Sequence, residues 1–135
     1  MGDLSLQVKV NASRASVWRD FVDMMAFAEW WWPFDDTTYA ADIRPGGAYR
    51  FASAGAGIGV HGEYRSVADG EHLEFSWQWE DSHEVPEPSV ARVALADAAA
   101  GATTVIVTHQ ASDDELDDLR QGWEHCLQRL ITRYA

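Results

Sequence analysis

A glycine-rich run, Gly57-Ile58-Gly59-Val60-His61-Gly62, matches the dinucleotide-binding spacing letter for letter. That spacing works where a strand gives way to a helix whose N-terminus meets a pyrophosphate. Here residues 60–67 alternate as a strand, so the run predicts a hairpin and not a nucleotide site. The histidines at 61, 72, 83, 109 and 125 have no zinc-like spacing, and no two sit four apart on a helix. His61 and Glu63 match the first part of the zinc-deaminase signature, but its Pro-Cys-x-x-Cys part is missing. Cys126 is the single cysteine, which excludes an intrachain disulfide and a cysteine metal cage. Its place beside an apolar helical stripe reads as a packed, inert thiol. No serine lies in a nucleophile elbow. The paired carboxylates Asp35-Asp36, Glu80-Asp81 and Asp113-Asp114 fall in turns or at a helix start, where solvated charge explains them. The residues predict no catalytic group, no metal and no cofactor.

Three features remain. His109 shares a strand face with Val105 and Val107, so it is either a satisfied core histidine or a group that bonds a ligand or moves a proton. Gly122 interrupts a helix at a cost of about 1 kcal/mol relative to alanine, for close packing or to leave room for a ligand. The third is an aromatic set: Trp30, Trp31, Trp32, Phe51, Tyr64, Trp77, Trp79 and Trp123. Such rings serve as core or as the walls of a pocket.

The elements that must position these residues are legible from periodicity. Leu4, Leu6, Val8 and Val10 alternate with polar residues, as in a strand buried on one face. Ser13 can cap a helix carrying Val17, Trp18, Phe21 and Val22 on one side. Asp23 can cap a second, over residues 24–30, which Pro33 ends. From Ala41 onward the pattern is strand and turn, with Arg44-Pro45-Gly46-Gly47 and Asp69-Gly70 as turns. Tyr49 and Phe51, residues 60–67, Leu73 to Trp79, Ala91 to Leu95 and residues 103–110 alternate as successive strands. Residues 81–88, with Asp81, His83, Glu84 and Glu87, read as a solvated loop. Ser112 and Glu115 have capping-box spacing, the serine serving the Glu115 amide. Acidic residues then gather at the positive end of the helix dipole, with Arg129 and Arg133 near the negative end. Leu116, Leu119, Trp123, Leu127, Leu130, Ile131 and Tyr134 form the stripe expected to lie on a sheet. Strands joined by short turns pair antiparallel. A sheet bending round one long helix is an α+β grip, with two short helices closing one end.

Composition bounds the partners. The 135 residues carry a formal charge of −12, with 22 acidic against 10 basic side chains. That excludes a phosphate backbone and disfavours an anionic membrane surface. No stretch approaches the roughly 20 apolar residues of a membrane span, and the N-terminus lacks the apolar core of a signal peptide. The expectation is one domain over residues 1–135, located in the cytoplasm.

In order along the chain stand Val17-Trp18, Glu29-Trp30-Trp31-Trp32-Pro33, residues 42–51, Gly62-Glu63-Tyr64, Leu73-Glu74-Phe75-Ser76-Trp77, residues 103–109 and Gln121-Gly122-Trp123. Together they resemble the heat-shock-protein-90 ATPase activator homologue family, within the START-like (SRPBCC) superfamily. The chain departs from that pattern at Arg14 and Met24, where relatives often carry proline. The resemblance implies a helix-grip fold, as in the birch pollen allergen, with an internal cavity between sheet and last helix. Members of the superfamily bind lipids, hormones and polyketides, some act as cyclases, and the family is named for eukaryotic co-chaperones. Three functions follow as expectations. The first is a binding module for a small apolar or aromatic molecule, with Phe51, Trp77, Trp79, Trp123 and Leu127 around the cavity and Tyr64 and His109 orienting the ligand. The second is a co-chaperone-like interaction module or homodimer that uses Trp31 and Trp32 as exposed anchors beside Asp35, Asp36 and the acidic loop. The third is a cyclase or hydrolase using His109 or a cavity tyrosine.

Overall fold

Alternating burial in Gly2–Val10 forms the first strand, β1, with Leu4 and Val10 inside. Two helices follow, α1 (Arg14–Val22) and α2 (Met24–Ala28). Ser13 Oγ accepts from the Ser16 amide at 3.2 Å and Asp23 Oδ1 from the Met25 amide at 3.0 Å, so both expected caps form. Arg14 and Met24 are the first helical residues, the position where proline is favoured in general. Six strands come next: β2 (Thr38–Ala41), β3 (Ala48–Ser53), β4 (Ile58–Ala68), β5 (His72–Trp79), β6 (Ser89–Asp97) and β7 (Thr103–Ala111). The long helix α3 (Asp113–Arg133) ends the chain. This computed structural model describes residues 2–80 and 89–135. The expected acidic loop, with Asp81, His83, Glu84 and Glu87, lies outside the described residues.

All seven strands form one antiparallel sheet in the order β1-β7-β6-β5-β4-β3-β2. The two short helices carry the chain from one edge strand, β1, to the other, β2, and a meander then returns to β1. The sheet curves round α3, whose buried residues Leu119, Trp123, Cys126, Leu127 and Leu130 form the expected stripe. This is the helix-grip fold. The glycine-rich run is a turn with Gly57 at φ +66°, followed by β4, so no helix meets it.

Three local expectations are corrected. Helix α2 stops at Ala28 rather than residue 30, because α3 captures the carbonyls that follow: Arg129 Nε donates to Trp30 O at 2.7 Å and Cys126 Sγ to Trp31 O at 3.2 Å. Arg129 and Arg133, at the negative end of α3 as expected, thus also reach the helices after β1: Arg129 bonds Trp30, and Arg133 meets Asp20 of α1 and Glu29. Strand β2 begins at Thr38, three residues before the expected Ala41, since Thr and Tyr favour extended backbone. At the start of α3, Ser112 Oγ donates to the Glu115 carboxylate at 3.0 Å, while the Glu115 amide bonds the Ser112 carbonyl, also at 3.0 Å. The residues of the capping box are present, but its side-chain-to-amide bond is not.

The end of α3 is clasped to α1. Asp20 is fully buried; Tyr134 Oη donates to its Oδ2 at 2.5 Å, and Arg133 Nε lies 3.4 Å from Oδ1. Arg133 also bonds Glu29, and Trp30 Nε1 donates to the Asp20 carbonyl at 3.0 Å. A buried carboxylate that loses a donor retains its desolvation cost. Tyr134→Phe is expected to lower unfolding stability by about 2 kcal/mol. Urea denaturation should show the lower midpoint with an unchanged slope; an unshifted midpoint would mean that the clasp contributes nothing.

Candidate functional site

Inside the grip, alternation on β3, β4 and β5 points Tyr49, Phe51, Tyr64, Phe75 and Trp77 at α3, and all five are buried. Phe27 of α2 closes the end. It stacks on Trp31 with ring centroids 4.8 Å apart and meets Phe51 at the same separation. Between these rings a void of about 20 Å³ remains, room for roughly one water molecule. Phe51, Tyr64, Trp77 and Trp123 line it, together with Phe21 and Phe27 among others. The internal cavity that the resemblance implies is thus occupied by the protein's own aromatic side chains.

A second space opens beside it, between α3 and the end of β5. Five tryptophans wall this cleft of about 80 Å³: Trp31, Trp32, Trp77, Trp79 and Trp123. Asp118, Leu119, Gly122 and Cys126 complete it from α3 and the helix interior. Gly122 lies at its exposed rim. A Cβ built there meets nothing within 4 Å, so close packing is not the reason for glycine at this position. The Cys126 thiol is buried, and burial pushes its pKa up to about 12, so it stays protonated as the sequence predicts.

The floor between the two spaces is held by a polar relay. Trp123 Nε1 donates to His109 Nδ1 at 3.0 Å, which makes Nδ1 the acceptor and puts the proton on Nε2. Nε2 then donates to Ser89 Oγ at 2.7 Å, and Ser89 Oγ donates to the Trp77 carbonyl at 3.3 Å. Register explains the geometry: Trp77 stands opposite Ser89, and His109 opposite Ala91, so Ser89 and His109 are diagonal neighbours on the inner face. His109 has no exposed surface, and burial lowers its pKa to about 4. Both ring nitrogens are engaged, so the ring offers no free atom to a ligand or a proton in transit. The expected orienting and acid–base roles of His109 therefore give way to a structural one.

The other expected residues divide. Trp77, Trp79 and Trp123 meet in the cleft; Phe51 and Tyr64 stay at the inner void; Leu127 is buried on the sheet-facing side of α3 and lines neither. Burial raises the Tyr64 pKa, so its hydroxyl remains protonated. Trp31 and Trp32 are 3% and 9% exposed, which corrects their reading as exposed partner anchors. They are walls instead. Sequence reasoning passed over Ser89 and Asp118; Ser89 sat at the edge of a loop-like segment, and nothing in its spacing tied it to His109. Among the described residues, Trp31 Nε1 and Trp77 Nε1 are buried donors without a partner, a costly state for groups that are nearly always satisfied. No cluster of metal-ligating side chains occurs among the described residues.

The profile described as "Activator of Hsp90 ATPase homolog 1-like protein" matches residues 11–134. The chain belongs to this family. Its helix-grip architecture is shared with several solved structures. Protein CV1439 from Chromobacterium violaceum is 24% identical with a TM-score of 0.77, over 98% of this chain and 96% of that one. Protein MLL2253 from Mesorhizobium loti superposes with a TM-score of 0.81 at 15% identity, over 97% and 95%. CalU16 from Micromonospora echinospora gives 0.75 at 22% identity, over 95% of this chain and 73% of that one. At these identities the likeness is one of fold. No curated protein sequence matches significantly. In this activator-homologue chain no described helix is long and apolar enough to cross a membrane.

The relay makes the activator-homologue fold sensitive to acid. Unfolded, His109 takes a proton below about pH 6.5; folded, only below about pH 4. Its contribution is therefore complete above the unfolded value and lost as pH falls through this window. From about pH 7.5 to about pH 5, this group alone should remove about 2 kcal/mol of stability. Chemical denaturation at both values should show His109→Gln losing correspondingly less over the same interval; equal losses in the two proteins would refute the assignment.

Proposed function

We propose that the protein binds a small, mostly apolar or aromatic molecule in the tryptophan-walled cleft between α3 and β5. The carrying observation is Gly122. A mid-helix glycine stands where alanine would fit without contact and favour the helix by about 1 kcal/mol, at the point where five indole rings leave a space. The Trp31 and Trp77 N–H groups on the same walls, without a partner among the described residues, support this reading; rules of polar satisfaction are relaxed most often where a site serves function. The cleft is smaller than the few hundred Å³ of a typical drug-sized pocket, so it suits one or two fused rings, or one end of a larger molecule. Cytoplasmic location is part of this proposal, in keeping with a single reduced cysteine. The interaction-module reading has lost its exposed tryptophan anchors, and the cyclase reading has lost the free nitrogen of His109.

Indane, a compact bicyclic hydrocarbon, is a direct probe. At ten times its Kd it should stabilise the fold by about 1.4 kcal/mol and change tryptophan fluorescence. Gly122→Leu should fill the cleft and abolish both effects, while Gly122→Ala should raise stability by about 1 kcal/mol. No response to indane, or an undiminished response in Gly122→Leu, would sink the proposal.

A further inference from the structure

We infer that the cleft receives its ligand by a small organic cation, a tertiary or quaternary ammonium head held among the indole rings with Asp118 at the mouth. The inference rests on the cleft being a ligand site and names the chemistry it selects. Tryptophan offers a cation the most strongly attracting ring face of any side chain. Five of the chain's seven tryptophans wall this one space. Among the described residues, Asp118 is the only charged one lining it, and no described lysine, arginine or histidine contributes.

The turn of α3 before Asp118 has the same sign, and the one nearby cation on the helix is Arg120, two positions beyond it. Asp114 lies one helical turn before Asp118 on the same face of α3, and Asp113, Glu115 and Asp117 surround that turn. These carboxylates offset the positive end of the helix dipole, which would otherwise repel a cation. Arg129 and Arg133, further along α3, are engaged with Trp30, Asp20 and Glu29. Size agrees too: about 80 Å³ suits a compact alkylammonium head better than a polycyclic skeleton. The net charge of −12 would also draw cations toward the molecule.

Choline and its neutral carbon isostere, 3,3-dimethylbutan-1-ol, have the same shape and hydroxyl and differ in charge. Calorimetric or fluorescence titration of the wild-type protein should give a Kd for choline lower by about tenfold. Asp118→Asn, at an exposed helix position, should reduce that advantage and its salt sensitivity while leaving the isostere's affinity unchanged. Trp79→Leu should weaken choline more than the isostere. Equal affinities, or binding of indane without choline, would overturn this inference and leave the cleft as an apolar site. Silence of choline, isostere and indane together would remove the site itself. If a variant fails to fold, the wild-type comparison alone decides.

Discussion

The hydrogen bond from Trp123 to His109 ties the long helix to the sheet, and much of the interior is arranged around it. An indole N–H cannot be buried against rings alone without a cost of about 1–3 kcal/mol. His109 removes that cost by accepting, which forces the proton onto its other nitrogen, and Ser89 then passes the bond to the backbone of β5. One polar chain thereby joins α3, β7, β6 and β5. It also fixes the faces of Trp77 and Trp123, whose centroids lie 5.9 Å apart. The hydrophobic effect holds the layers together without direction; this relay supplies the direction.

Around that tether, aromatic side chains take the place of a large cavity. The fold leaves space between a curved sheet and a helix, and this chain fills it with Phe27, Phe51, Tyr49, Tyr64 and Phe75, leaving an inner void of about 20 Å³. What remains open has moved outward, to the cleft with Gly122 at its rim. Tyr49 shows how closely the inner wall is fitted. Its hydroxyl donates to the Ser76 carbonyl at 2.6 Å, while Ser76 Oγ accepts the Glu63 amide at 2.9 Å. The opposing Gly62 has no room for a Cβ, which would lie 2.1 Å from that same carbonyl.

Most of the fold was legible in the residues because its signals are local. Alternation marked the strands, Ser13 and Asp23 marked helix starts, and the stripe from Leu119 to Leu130 marked the buried face of α3. The errors came where a distant element decides. Residues 29 and 30 have helical potential, yet α2 ends before them because Arg129 and Cys126, about a hundred positions later, take the next carbonyls. The same holds at the candidate site. Trp77, Trp79 and Trp123 could be picked out as aromatic walls, and Gly122 as an anomaly. That Trp31 and Trp32 face the same space, or that Ser89 completes the bonding of His109, depends on register and helix placement that no short window contains. The dinucleotide-like glycines show the converse: a perfect spacing means nothing when the flanking element is a strand.

The position of β1 has a consequence for how the chain assembles. Its partner is β7, in a register running from Gly2↔Ala111 to Val10↔Thr103, so the first strand of the sheet in chain order is joined to the last. Every other neighbouring strand pair is a hairpin or short connection, cheap in loop entropy, whereas this seam closes most of the polypeptide into one loop. Pairings of such long sequence separation slow folding and tend to form late. On that ground the meander from β2 to β7 is the natural nucleus, with β1 docking afterwards together with α3, which packs on it. A late seam is also where a stabilising contact slows unfolding more than it speeds folding, so changes along β1 should act mainly on the unfolding rate.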